Sequence, residues 1–101
     1  MRVPVVERDD YTIWFQPYED ADGEVITFIH CEIHTRWSKQ VKLAVAADYS
    51  QLRDMTRQAF YTLSEPTDTK HHKFLTIFGF KHHKDVQLGD GSVKHIFISE
   101  K

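Results

Sequence analysis

Histidines, carboxylates and basic residues gather at a few places in this chain where their types and spacing could do chemistry. His30, Glu32 and His34 alternate along the segment from Val25 to His34, so all three share one side of a strand. An imidazole or carboxylate held beside a reacting group can move a proton near neutral pH. Arg36-Trp37-Ser38-Lys39-Gln40-Val41 follows at once, with Ser38 placed to cap a helix. A helix start offers free N–H groups and the positive end of the dipole, so it suits a phosphate, and Arg36 and Lys39 add charge. Four of the seven histidines fall in the adjacent pairs His71-His72 and His82-His83. Imidazole is a common zinc ligand, but neighbours on a strand point to opposite faces. A metal site would therefore combine His71 or His72 with His82 or His83, and no HExxH or CxxC spacing accompanies them. Ordinary roles compete with each of these: a hydrogen-bonded or surface histidine, and a capped helix with a solvated basic first turn.

These residues need elements to position them. Tyr11 to Gln16 is β-prone, and Pro17 to Gly23 has turn chemistry. In the next strand Val25, Thr27, Ile29, Cys31 and Ile33 form the face expected to be buried. Val41, Val45, Tyr49 and Leu52, joined by Ala44 and Met55, recur at near-helical spacing and predict a helix over Ser38 to Met55. Ala59 to Leu63 predicts a short strand closed by Ser64-Glu65-Pro66, with a continued helix through Leu63 as the competitor. Thr67 or Asp68 caps a second helix carrying His71, Phe74, Leu75 and Phe78, and Gly79 stands where a left-handed terminator belongs. Phe80 to Leu88 and Val93 to Ser99 flank Gly89-Asp90-Gly91-Ser92 and should pair as an antiparallel hairpin. The order is β-β-α-β-α-β-β, an α+β fold whose middle β-α-β unit sets two parallel strands side by side.

The 101 residues suit one domain, 1–101, and 41% hydrophobic with 13% aromatic content suits a packed core. A formal charge of -2 disfavours nucleic acid and anionic membrane as partners. Cys31 is the single cysteine, which fits a reducing compartment. No apolar run approaches the roughly 20 residues that cross a bilayer, so a cytoplasmic protein is expected. Trp14, Trp37, Phe15 and Tyr18 could fill the core or form an aromatic contact surface.

From about Glu24 to Ser99 the chain resembles the GNAT acetyltransferase pattern of long strand, cofactor-binding helix, strand, short helix ending in Gly-Phe, and closing hairpin. The strongest local match runs from Asp68 to Phe80, with Asp68 in the place of the family's asparagine and Gly79-Phe80 matching. His71-x-x-Phe74-Leu75 and the missing N-terminal helices look like the short GNAT-like proteins of tailed bacteriophages, including internal virion components. The resemblance implies a GNAT-like mixed sheet without those helices, and acetyl-CoA as cofactor. Its pyrophosphate would lie on Arg36, Ser38, Lys39, Gln40 and Val41, with Asp68 also at the cofactor site. Arg36 fits the family's glutamine-or-arginine position, while Lys39 and Val41 stand where small residues are usual. Glu32 or His34 would act as base toward an amine acceptor. Leu75 takes the place of the family's tyrosine acid, which makes Tyr61 the substitute candidate. Two other functions stand beside N-acetyl transfer. One is a noncatalytic virion, assembly or host-inhibitory module that binds a protein partner, a homodimer pairing through sheet edges among the options. The other is a histidine-dependent metal-binding module. A phage protein would work in the host cytoplasm or the virion.

Overall fold

The computed structural model describes residues 1–99. Its elements are β1 (Val3–Glu7), β2 (Tyr11–Glu19), β3 (Val25–Ile33), α1 (Lys39–Thr56), β4 (Phe60–Ser64), α2 (Thr69–Ile77), β5 (Lys81–Gln87) and β6 (Val93–Ser99). All six strands join one sheet in the order β1-β2-β3-β4-β6-β5. The fold is the expected α+β mixed sheet, and β3 and β4 are its parallel pair. Among the described residues no helix is long and apolar enough to cross a membrane.

Two sequence expectations need correction. An extra strand, β1, precedes the first one predicted and pairs antiparallel with β2. Pro4 and an exposed apolar pattern hide it, and both are tolerated because β1 is an edge strand. The second correction concerns Pro17, which the turn signal assigned to a loop but which lies inside β2 opposite Thr27. The β1 pairing reaches no further along β2 than Phe15, so at Pro17 one side of β2 is open and a missing donor can be accommodated. The true turn starts at Asp20, whose Oδ1 accepts from the N–H groups of Asp22 and Glu24, both at 2.9 Å.

Ser38 caps α1 as expected, its Oγ accepting the Val41 N–H at 3.2 Å. Val41, Val45, Tyr49 and Leu52 are buried by this helix, and Arg57 ends it in a left-handed conformation with φ 52. Asp68 caps α2 by accepting the His71 N–H at 3.1 Å, and Gly79, at φ 85, releases the chain into β5. Arg53 of α1 donates through Nη1 to the Phe78 carbonyl at 3.1 Å and to Ser99 Oγ at 2.9 Å, tying both helices to β6. Alternation then fixes the layers. Tyr11, Ile13, Ile29, Phe60 and Phe97 share the core with residues of both helices, so α1 and α2 cover one face. Trp14, Phe28, Tyr61 and Leu63 belong to the other face, which carries no helix among the described residues.

One buried group was not anticipated. Asp48 of α1, 7% exposed, accepts from Arg8 Nε at 3.2 Å and Nη2 at 2.9 Å, and from the Tyr11 hydroxyl. Burial pushes its carboxyl up, but the Arg8 and Tyr11 hydrogen bonds and the Arg8 charge outweigh burial and hold it below the ordinary range. Burial, then the Asp48 contact, raises the Tyr11 phenol to about 12. Asp48→Ala strands the Tyr11 hydroxyl, and a loss of about 1–3 kcal/mol is expected, read from urea denaturation. A change below about 0.5 kcal/mol, the usual range of surface substitutions, would show that the cluster is not a stabilising element.

Candidate active site

β3 and β4 pair at Thr27–Phe60 and Phe28–Tyr61. Past these residues β3 stays in register with β2 as far as Ile33, while β4 stays in register with β6 as far as Ser64. Each strand follows its antiparallel partner, and a wedge opens between them. Alternate residues past the split turn their backbone N–H and C=O groups toward the gap, where an extended ligand with amide groups could pair with them.

The wedge opens on both faces of the sheet. On the helix side is a cavity of about 350 Å³ whose walls include Cys31, Tyr49, Thr62, His71, Phe74 and Phe80. On the other side is an opening of about 270 Å³ with Arg2, Trp14, His30 and Glu32 at its rim. Cys31, Thr62 and His71 line both, so these three residues mark the throat.

Of the three, His71 is equipped for proton transfer. Its Nδ1 lies 2.7 Å from Ser64 Oγ, a buried hydroxyl on β4, which leaves Nε2 to take or give a proton. Burial lowers its pKa, and the neighbouring His72 works in the same direction against the raising effect of Asp68. His71 is therefore neutral at pH 7 and able to act as a base. Cys31 is not a thiolate nucleophile, because burial raises the thiol to about 11 despite a hydrogen bond with Tyr49. Burial also lifts the Tyr49 phenol well above its ordinary value.

The anion-binding segment predicted from sequence leads directly off β3. Trp37 packs on Phe74 of the cavity wall with ring centroids 5.3 Å apart, which brings the segment before α1 alongside that wall, although residues 36–41 do not themselves line the cavity. Arg36, Ser38, Lys39 and Gln40 are exposed there, and the first turn of α1 holds no acidic residue. Lys39 and Gln40 are the first two helical residues, so their N–H groups precede the intrahelical ladder. Val41 has a different part. Its N–H is taken by Ser38 and its side chain is buried in the core, so its bulk does not stand over the amides. Asp68 lines the cavity with its carboxylate engaged in capping α2.

The predicted acid–base residues separate. Glu32 is exposed at the rim of the second opening, with Oε1 3.4 Å from His34 Nδ1. His34 bonds Thr12 Oγ1 through Nε2 at 2.8 Å and is not among the residues lining either opening. His30 bonds Gln16 Oε1 through Nε2 at 2.9 Å, and burial, then the Arg2 charge, lowers its pKa. Tyr61 lies on the helix-free face, its ring centroid 6.0 Å from Phe28 and 6.1 Å from His83, and it lines neither opening. Sequence reasoning used His71 for packing and metal binding and missed it as a proton carrier. The available signal was its spacing: His71 lies one helical turn before Leu75, the place assigned to the family's acid, and so shares its face.

A mixed sheet whose parallel pair splays into a wedge, flanked by a capped helix and a short helix ending in Gly79-Phe80, is the GNAT acetyltransferase fold. Solved structures share it. The chain aligns with one in the crystal structure of the NatC complex bound to Gag peptide and CoA at TM-score 0.63, with 9% identity over 90% of this chain and 60% of that one. It aligns with a GNAT-family acetyltransferase from Bacillus anthracis at TM-score 0.62, with 10% identity over 88% of this chain and 57% of that one. At these identities the likeness is one of fold, and the chain spans about three fifths of either structure's length. No protein-family model and no curated protein matches the sequence.

Proposed function

We propose that the protein binds acetyl-CoA in the wedge and transfers the acetyl group to an amine presented at the opposite opening. The observation that carries this reading is the throat, where His71, neutral and fixed by Ser64, stands between a helix-side cavity and a second entrance. The residues fit the cofactor. Free N–H groups at the start of α1, with Arg36 and Lys39, suit a pyrophosphate, and the unpaired strand edges suit the amides of a pantetheine arm. When bound, the cofactor supplies an activated acetyl thioester. Glu32 at the rim favours a cationic amine, which reacts as the fraction that has first lost one proton to solvent, and His71 would remove a second proton from the nitrogen as the new C–N bond forms. The His71 imidazolium would then return its proton to the sulfur that leaves as the C–S bond breaks.

Titration calorimetry tests the binding step. Acetyl-CoA should bind with micromolar affinity, and Arg36→Ala with Lys39→Ala should weaken binding by about tenfold, or 1.4 kcal/mol. No heat at millimolar acetyl-CoA would overturn the proposal.

A second reading, a noncatalytic protein-binding module such as a virion or assembly protein, draws support from the helix-free face. There Phe28, Tyr61, Leu63 and Val86 line a groove of about 460 Å³. The resemblance to short phage proteins rests on the His71-x-x-Phe74-Leu75 wording and on the missing N-terminal helices, no helix preceding β2 among the described residues. This reading requires a co-purifying partner that is lost when Phe28 or Tyr61 becomes alanine.

A further inference from the structure

A regular strand sets residues three apart on opposite faces, so His82 and Asp85 of β5 should not meet. They do meet, because the β5–β6 register slips between His82 and Lys84. His82 lies opposite Phe97, Lys84 opposite Ile96 and Asp85 opposite His95, which leaves His83 as the extra residue of a β-bulge. A bulge of this kind re-aims side chains. His82 and Asp85 thereby join His95 on the helix-covered face, while His83 turns to the other face and lines the groove there.

The three side chains converge. His82 Nε2 lies 2.8 Å and His95 Nδ1 2.5 Å from the same Asp85 Oδ1, and the ligand atoms all fall within 4.8 Å of one another. The Phe97 ring flanks them at 5.8 Å from His82 and 6.4 Å from His95. The ring of His72 on α2 lies 5.6 Å from that of His95, tilted by 45°, and bonds the Glu65 carbonyl through Nε2. Aromatic walls of this kind limit the rotamers of both ligating imidazoles.

We infer that His82 Nε2, an Asp85 carboxylate oxygen and His95 Nδ1 form a binding site for a divalent transition-metal ion of the zinc type. Two imidazoles and a carboxylate are a recurrent zinc donor set, and ligand atoms in such a site stand about 3.3 Å apart around bonds of about 2.0–2.1 Å. From the hydrogen-bonded cluster, whose ligand atoms lie within 4.8 Å of one another, the widest pair reaches that spacing by closing up to about 1.5 Å through side-chain rotation. Solvent completes the coordination on the exposed side. An ion held this way crosslinks the edge strand β5 to β6, so its effect is on the terminal hairpin and is independent of acetyl-CoA.

The test is zinc titration of the chelator-treated protein by calorimetry, with thermal melts in parallel. Wild type should bind one zinc ion per chain and melt higher with zinc than without. Asp85→Asn and His95→Ala should each weaken binding by about tenfold or more. His83→Ala, adjacent in sequence but on the other face, should stay within about twofold of wild type. Melts without metal identify any variant that is unfolded, and His82→Ala then serves in its place. The proposal is overturned if millimolar zinc gives no binding, if the double variant His82→Ala/His95→Ala binds as wild type does, or if His83→Ala loses as much as His95→Ala.

Discussion

Replacing His71 with asparagine should slow acetyl transfer about 10²- to 10⁴-fold, the usual contribution of a positioned acid–base group, while acetyl-CoA affinity stays within about threefold. Asparagine keeps a hydrogen-bonding group near Ser64 but carries no titratable proton. Thiol release from acetyl-CoA across a panel of primary amines reports the rate, and calorimetry reports the affinity. The pH profile gives a second readout. An ordinary histidine titrates near about 6.5, and burial sets His71 below that. Its base form thus persists to lower pH, and the acidic limb of the wild-type rate should lie below pH 6.5. The stability consequence has a definite sign. Below about pH 6.5 the unfolded chain takes up a proton that folded His71 resists, so stability falls as pH drops from there toward the folded pKa. His30, also lowered by burial, acts in the same sense. Melting temperatures at pH 7.5 and 5.5 should differ less in His71→Asn than in wild type. A variant with the wild-type rate would remove His71 from the chemistry, whatever its effect on melting.

The elements that local physics dictates were legible in the sequence. Ser38 and Asp68 cap the helices they were expected to cap, Gly79 ends α2 in the left-handed region, and the turn before Val93 joins a hairpin. The parallel β3–β4 pair also follows from the strand-helix-strand order. What stayed hidden depends on neighbours in space. β1 exists because β2 offers it an edge, and Pro17 is tolerated in β2 because that edge is open. The bulge at His83 is set by register with β6, so the sequence showed paired histidines where the structure joins His82 to His95. Tyr61 illustrates the same limit. Alternation puts Phe60 and Tyr61 on opposite faces, but which face the helices cover is decided by the whole core. The wedge is likewise a disagreement between two strand pairs, and no single segment encodes it.

Phe60→Ala should be the most destabilising single change in the wedge region, at about 3–5 kcal/mol. The side chain is 1% exposed and its ring lies 5.1 Å from that of Phe15 on β2. Phe60 also sits opposite Thr27, one of two residue pairs joining β3 to β4, so the two halves of the sheet lean on the packing that it supplies. A domain of this size has about 5–15 kcal/mol in total, so the variant would keep a third to a half of its stability at best in the lower part of that range. At about 4–8 °C per kcal/mol, the melting temperature should drop by roughly 12–40 °C. Tyr61→Ala, one residue on but half-buried on the helix-free face, should cost nearer 1 kcal/mol. Phe60→Leu keeps most of the apolar contact and should cost under about 1.5 kcal/mol. It remains folded and isolates the geometric effect, for loosening the apex should weaken acetyl-CoA binding even where melting barely changes. Equal destabilisation by Phe60→Ala and Tyr61→Ala in urea would mean that the sheet is not held at this point and that the wedge has another support.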